Sequence, residues 1–116
     1  MASGRLASDN RPLITVEVDG LTIEAVIDTG FDGGVQLPDH LLPVLNPPFI
    51  SRVPFQYPNG QIDWRDTHRV RVVVGGEDTD AVAIFSPNDE VVLGLELLQH
   101  FRLTIDFPAG TVELAR

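Results

Sequence analysis

The stretch AVIDTG at residues 25–30 leads an apolar strand directly into an acid, a hydroxyl residue and a glycine. Alternate residues give this strand one apolar face, which consists of Leu21, Ile23, Ala25 and Ile27. An Asp that follows a strand is ordinarily a turn residue. Asp28, however, extends from a strand of the expected core, where a carboxylate is costly unless it has a function. Because Gly30 permits a tight turn and the close approach of another chain, we interpret the stretch as a functional loop.

The Asp-Thr-Gly motif after an apolar strand resembles the active-site loop of the aspartic proteases. In that chemistry two carboxylates lie about 3 Å apart and share one proton. One acts as general base on a water molecule, and the other acts as general acid towards the peptide carbonyl. The resemblance implies that Asp28 is a catalytic carboxylate and that Thr29 and Gly30 position the loop. It also implies that no metal or organic cofactor is needed.

A single copy of the motif occurs in the 116 residues, which are too few for two such lobes. We therefore expect the second carboxylate to come from Asp28 of an identical chain across a two-fold axis. This arrangement is similar to the retropepsin-like branch, the retroviral-type proteases and their cellular relatives. The resemblance implies a homodimer that acts on a peptide or protein substrate.

Composition limits the class of protein and its partners. A chain of 116 residues with 43% hydrophobic content suffices for one domain with a core. The net charge of −9 argues against nucleic acid and against an anionic membrane surface as partners. No apolar run approaches the length of a membrane span, and the first residues lack a signal-peptide core, so we expect a cytoplasmic protein. Without cysteine, a transition-metal site would need His40, His68 and His100, which are far apart in the sequence.

The chain is expected to begin with a disordered tail and to continue as one domain. Residues 1–11 are small, polar and without periodicity, which is typical of disorder. Residues 12–116 are assigned to a single domain. The residues alternate as in a strand from Leu13 onwards, and Asp19-Gly20 between two alternating runs predicts a hairpin. This hairpin carries the Asp-Thr-Gly motif at its far end.

A second hairpin is predicted in the middle of the chain. Two runs, 51–57 and 61–74, flank the turn residues Asn59 and Gly60, which favour a turn with positive φ. The hairpin lies where the retropepsin flap is expected, and a flap closes over bound peptide and excludes water. Three aromatic residues are candidates to contact substrate there: Phe55, Tyr57 and Trp64. The alternative is a plain surface hairpin with aromatic cross-strand pairs.

Phe31 departs from the retroviral pattern. Retroviral members carry a small residue after the motif glycine, where the substrate backbone passes. The bulk of Phe31 is therefore expected to narrow the cleft or to shape a specificity pocket. The glycines that follow, Gly33 and Gly34, suit a wide and exposed loop.

The second informative stretch is VVLG at residues 91–94, followed by a helix predicted over residues 95–101 with one apolar face. Two hydrophobic residues and a glycine before a short helix again resemble the retropepsin pattern, in which this strand crosses behind the catalytic loop and supports it. Gly94 would let the two backbones pack closely. Over residues 13–114 the order of motifs predicts an all-β fold. The resemblance implies a retropepsin-like closed β-barrel lobe with a flap hairpin and one short C-terminal helix.

Three functions are compatible with the sequence. The first is an aspartic endopeptidase, in which paired Asp28 carboxylates at a homodimer interface activate water. The second is a non-catalytic dimeric module of the same fold that binds a peptide or a partner protein; such a module would have no reason to keep Asp28. The third is an unrelated β-barrel binding protein in which Asp28 is only a turn residue, and the order of the motifs disfavours it.

Overall fold

The computed structural model describes all 116 residues and consists mainly of β-strands. The strands are β1 (Ala2–Leu6), β2 (Pro12–Val18), β3 (Leu21–Ile27), β4 (Val35–Pro38), β5 (Phe49–Gln56), β6 (Ile62–Val74), β7 (Glu77–Ser86), β8 (Val91–Leu93), β9 (Arg102–Asp106) and β10 (Thr111–Ala115). A 3-10 helix (Asp39–Leu41) and two single-turn helices, α1 (Leu42–Leu45) and α2 (Leu95–Leu98), complete the chain. The predicted all-β fold is confirmed.

All ten strands belong to one sheet, in the order β5-β6-β7-β4-β8-β3-β2-β1-β10-β9. A further pairing of β2 with β6 closes six of these strands into a ring. Because side chains alternate across a strand, the apolar residues of the ring point to one common interior. The most deeply buried large side chains are Ile14, Val16, Val18, Val35, Leu37, Val70, Val72, Val74, Leu93, Val112 and Leu114. Each such side chain stabilises the fold by about 1.5–3 kcal/mol through its removal from water.

The prediction that residues 1–11 form a disordered tail is wrong. Residues 2–6 form β1, which lies between β10 and β2 and pairs with both. The close approach to β2 requires Gly4, since a Cβ atom there would lie 1.9 Å from the Leu13 carbonyl oxygen. A turn then joins β1 to β2, and in it the Ala7 amide donates to the Arg11 carbonyl at 2.8 Å. Pairing with two neighbours therefore orders a segment that has no hydrophobic period of its own.

The C-terminal helix is shorter than the predicted one over residues 95–101. Within residues 95–101 only α2 is α-helical. The amides of His100 and Phe101 donate to carbonyls three residues back, at 3.3 and 2.9 Å. Of its apolar residues, Leu97 and Leu98 are buried while Leu95 is exposed. None of the helices in the chain has the length and apolar character needed to span a membrane.

Candidate active site

Asp28 directly follows β3, beside the strand that crosses behind it. β8 lies between β3 and β4, parallel to the first and antiparallel to the second. Ile27 pairs with Leu93, and the Asp28 amide donates to the Leu93 carbonyl at 3.0 Å. The Asp28 backbone is thereby fixed to a buried strand, while the residue itself is exposed.

The loop of residues 28–34 folds back on the Asp28 side chain. The Gly30 amide donates to Asp28 Oδ1 at 2.8 Å, and the Phe31 amide donates to the Asp28 carbonyl at 3.2 Å. These bonds define the orientation of the carboxylate, because they tie one of its oxygens to the backbone two residues on. Thr29 is exposed and contributes no side-chain bond to this turn, so its positioning role stays a prediction.

The 28–34 loop is supported from behind by the residues that follow β8. The Gly94 amide donates to the Gly34 carbonyl at 2.9 Å, and the Leu95 amide donates to the Phe31 carbonyl at 2.8 Å. Glu96 continues this set with a bond to the Gly33 carbonyl at 3.1 Å. No side chain fits at Gly94, because a Cβ atom there would lie 2.2 Å from the Gly33 carbonyl oxygen. The close packing expected at this glycine is present.

Phe31 packs within the loop and not into a cleft. A Cβ atom built on Gly33 or on Gly94 would lie 2.6 Å from an atom of the Phe31 ring. The ring therefore fills the space that these two glycines leave. It is half-buried and does not line either of the two clefts beside the loop and the hairpin. This placement differs from the expectation that Phe31 narrows the cleft or shapes a pocket.

An open groove of about 400 Å³ lies beside Asp28. It is lined by Arg11, Pro12, Val26, Ile27, Asp28, Asn88, Glu90 and Val92. At its edge Arg11 forms ion pairs with Asp9, at 2.9 Å, and with Glu90. The pKa of Asp9 is lowered, chiefly because Asp9 accepts the backbone amide of Arg11. The pKa of Arg11 is raised, chiefly because Arg11 donates to Glu90. No three His, Asp or Glu side chains are grouped as a metal site would require.

The predicted second hairpin is present, formed by β5, the 57–61 turn and the first half of β6. The Gly60 amide donates to the Tyr57 carbonyl at 2.9 Å, and the Tyr57 amide donates to the Gln61 carbonyl at 2.8 Å. Asn59 Oδ1 accepts from the Gln61 amide at 2.9 Å. Gly60 has a φ of 84°. Asn59 does not share this positive φ, so Pro58 and Asn59 form the centre of the turn and Gly60 follows it.

A second cleft, of about 420 Å³, lies under this hairpin. We call it the hairpin cleft, and it is lined by Gln36, Phe55, Tyr57, Arg65, Ile84, Ser86, Pro87 and Asn88. Asn88 also lines the Asp28 groove, so the two cavities share that residue. Phe55 and Tyr57 are on the side of the hairpin that faces the cleft. Trp64 is 57% exposed on the other side, so of the three aromatic candidates only two reach the cleft.

The hairpin cleft contains three polar residues that were not predicted from the sequence: Gln36, Arg65 and Asn88. Strand alternation identifies Arg65 once the register of the hairpin is known. In β6 the residues at 63, 65 and 67 are less exposed than those at 62, 64 and 66, and strand alternation puts the odd-numbered set on the inner face. Gln36 and Asn88 carry no comparable pattern, because only the parallel pairing of β4 with β7 brings them to the cleft.

The fold of the chain is similar to that of several solved proteins. No protein-family model matches the chain. Among solved structures, a retropepsin-like aspartic protease from Rickettsia conorii matches 97% of this chain and 87% of its own, with a TM-score of 0.74 and 19% identity. Simian Foamy Virus (mac) protease matches 75% of this chain and 91% of its own, with a TM-score of 0.61 and 21% identity. EIAV protease complexed with the inhibitor HBY-793 matches 80% and 89%, with a TM-score of 0.63 and 17% identity. The chain therefore has the retropepsin-like fold that its motifs predict.

Proposed function

We propose that the chain is an aspartic endopeptidase whose active site combines Asp28 from two copies at a homodimer interface. The observation that carries the proposal is an exposed carboxylate directly after a strand whose last residue is buried in the core, held by the Gly30 amide. A simple turn residue would not need the support that Gly94 and the start of α2 give to this loop. The fold adds to the proposal, because solved proteins that share it include proteases.

The chemistry requires two carboxylates, and each chain has one Asp-Thr-Gly motif. Across a two-fold axis the two Asp28 side chains would face each other. Two carboxylates about 3 Å apart do not both ionise, so the pair holds one proton. The ionised member takes a proton from water, the water oxygen attacks the peptide carbonyl carbon, and the protonated member donates to the carbonyl oxygen. The carboxyl that took the proton from water then donates it to the peptide nitrogen, the C–N bond breaks, and the other carboxylate takes back a proton from the gem-diol, which restores the singly protonated pair. We expect hydrolysis to be fastest at acidic to mildly acidic pH, since the pair must keep one proton.

The hairpin acts in this proposal as the flap over bound peptide. Its tip residues, Asn59 and Gly60, form a turn at the end of two paired strands. Phe55 and Tyr57 on the inner face would contact the peptide. Closure of such a flap excludes water from the reacting bond.

Replacement of Asp28 by Asn tests the proposal directly. Asn has nearly the same size as Asp but is not a base, so we expect peptide cleavage to fall by about 10³-fold or more. The assay is digestion of a randomised peptide library, followed by mass spectrometry, between about pH 4 and pH 7. We expect the variant to remain a dimer in sedimentation velocity, because the change removes a like-charge repulsion at the interface.

Asp106→Asn is the matched control. Asp106 also ends a strand, and its Oδ1 accepts a backbone amide, that of Ala109, at 3.1 Å. Cleavage by this variant should equal that of the wild type. A wild-type chain that binds library peptides but cuts none at any pH would favour the non-catalytic module, and a strict monomer would exclude the shared site. The cytoplasmic location expected from the sequence stays a prediction.

A further inference from the structure

The hairpin cleft is rich in hydrogen-bond donors and contains no carboxylate. Five of its eight lining residues are polar: Gln36, Tyr57, Arg65, Ser86 and Asn88. Arg65 is the only ionised side chain among them. This composition is unexpected in a chain that has 17 acidic residues against 8 basic ones. The lining of the cleft therefore offers one cation and several hydrogen-bond donors on an otherwise acidic protein.

Arg65 is held in place by three contacts that leave part of its guanidinium free. Nε donates to Asp63 at 3.1 Å, Nη2 donates to the Tyr57 hydroxyl at 3.3 Å and Nη1 reaches the Phe85 carbonyl at 3.4 Å. A guanidinium has five N–H donors, so one donor on each terminal nitrogen has no partner. The hydrogen bond with the Tyr57 hydroxyl is the largest cause that raises the pKa of Arg65. The side chain is therefore charged at every pH at which an aspartic protease works.

Asp63 pairs with Arg65 from outside the lining of the cleft. The carboxylate contacts Nε at the base of the fork, accepts from the Tyr57 hydroxyl at 3.4 Å and does not line the cavity. The two terminal nitrogens carry the free donors, and a planar fork of this kind matches a carboxylate. The arginine side chain is only 27% exposed, so solvent screens this contact less than it screens an ion pair at the surface.

We propose that Arg65 is a specificity-determining residue and that the hairpin cleft takes a Glu or Asp side chain of the peptide substrate. The inference rests on the proposed endopeptidase function. The hairpin cleft shares Asn88 with the Asp28 groove, so the two cavities lie on either side of one residue and a peptide chain over Asp28 can place a neighbouring side chain in the hairpin cleft. A two-fold dimer has two such clefts. Acidic residues are therefore preferred on both sides of the bond that is cut.

At pH 7 the net charge of −9 gives this preference a specific dependence on salt. The overall charge repels an acidic peptide over a distance that added salt shortens, to about 8 Å at 0.15 M. The contact with Arg65 is short-ranged and partly buried, so salt weakens it less. Cleavage of an acidic peptide should accordingly gain speed relative to its neutral analogue as salt rises from low concentration, until the direct contact is screened as well.

The test compares matched peptides that carry Glu or Gln at each position around the bond cut most often in a randomised library. For the wild type we expect kcat/KM to be on the order of tenfold higher for Glu at one position on each side. Arg65→Gln should reduce this ratio to about one. Arg52→Gln is the control, because Arg52 pairs with Asp66 on the outer face of the same hairpin and does not line the hairpin cleft. That variant should keep the wild-type ratio.

Gln36→Glu provides a second variant that leaves Arg65 unchanged. A carboxylate at this position would pair with the Arg65 guanidinium and repel a substrate carboxylate. The variant should therefore cleave Gln peptides faster than Glu peptides. The inference is overturned if the wild type cleaves peptides without a preference for Glu. It is also overturned if a Glu preference survives both substitutions. Either result leaves the protease proposal standing. Failure of the wild type to cut any library peptide overturns the proposed function and this inference together.

Discussion

The 28–34 loop and the tip of the hairpin at 57–61 are two turns of similar length that are held in opposite ways. The loop is bonded to Leu93 at its start and to three successive amides, from Gly94 onwards, along its length. The tip is closed by bonds among its own residues, and Tyr57 alone receives a bond from further along β6. A catalytic carboxylate needs a fixed position, whereas a cover over substrate must open.

Two glycines show the same difference at the level of single atoms. Gly94 has a φ of −107°, which any residue can adopt, but a Cβ atom there would collide with the Gly33 carbonyl. Gly60 has a φ of 84° and nothing within 4 Å of such a Cβ atom. The first position therefore requires glycine for space, and the second requires it for backbone conformation. Substitutions at the two sites should fail for different reasons.

Gly94→Ala should have the larger effect on the fold. The new methyl group would lie 2.2 Å from the Gly33 carbonyl oxygen and 2.7 Å from the Phe31 carbonyl oxygen, both of which are backbone atoms. We expect the free energy of unfolding to fall by about 2–3 kcal/mol. Displacement of the loop should lower kcat/KM by about 10²-fold or more. Urea denaturation and the peptide assay measure the two quantities.

Gly33→Ala is the comparison for the stability measurement. A Cβ atom at Gly33 would meet only the Phe31 side chain, at 2.6 Å, and a ring can move more easily than a backbone. The loss of stability should therefore be smaller than for Gly94→Ala. Equal losses at the two glycines would mean that the loop adapts to either methyl group and that the contact with Gly94 is not what fixes Asp28.

Gly60→Val should reduce activity more than stability. Valine is strained at a φ of 84°, and the tip has no neighbours to disturb, so we expect a stability loss of about 1–2 kcal/mol. Cleavage should fall by about tenfold, because the flap would close less well over peptide. The control is Gly60→Asn, since Asn tolerates this conformation and should retain most of the activity. If stability and activity decline in parallel, the hairpin is a structural rib and not a flap.

The contrast between the loop and the tip also explains how much the sequence could predict. The Asp28 hairpin and the turn at Gly60 are local patterns, in which a turn residue follows a strand, and the approach of Gly94 is implied by the resemblance to the retropepsin pattern. β1 has no such pattern, and its place depends on the missing side chain of Gly4 against Leu13, a residue of the neighbouring strand β2. Only the folded chain reveals a contact of this kind.

Within the candidate site, too, local sequence predicts some residues, while others depend on contacts that only the folded chain shows. The position of Asp28 could be predicted, because the motif and its strand are adjacent in sequence. The Phe31 ring could not be placed, since its pocket is formed by Gly33 together with Gly94, more than sixty residues away. Arg65 was missed because its role depends on the register of the hairpin, which pairs Val53 with Arg65.

The smallest effect is expected at the exposed ion pairs beside the Asp28 groove, which join the turn before β2 to the residue before β8. Asp9, Arg11 and Glu90 are all exposed, and such pairs contribute little in water. Asp9→Asn should leave the urea midpoint at pH 7 nearly unchanged, because Asn can still accept the Arg11 amide. Since the amide of Arg11 lowers the pKa of Asp9 below 3.8, the charge of Asp9 stabilises the fold above that pH. This contribution is lost as pH falls through the lowered value, so the small difference between wild type and variant should vanish in strong acid. A loss at pH 7 as large as that of Gly94→Ala would show that surface charges, and not the backbone contacts behind the loop, hold Asp28 in place.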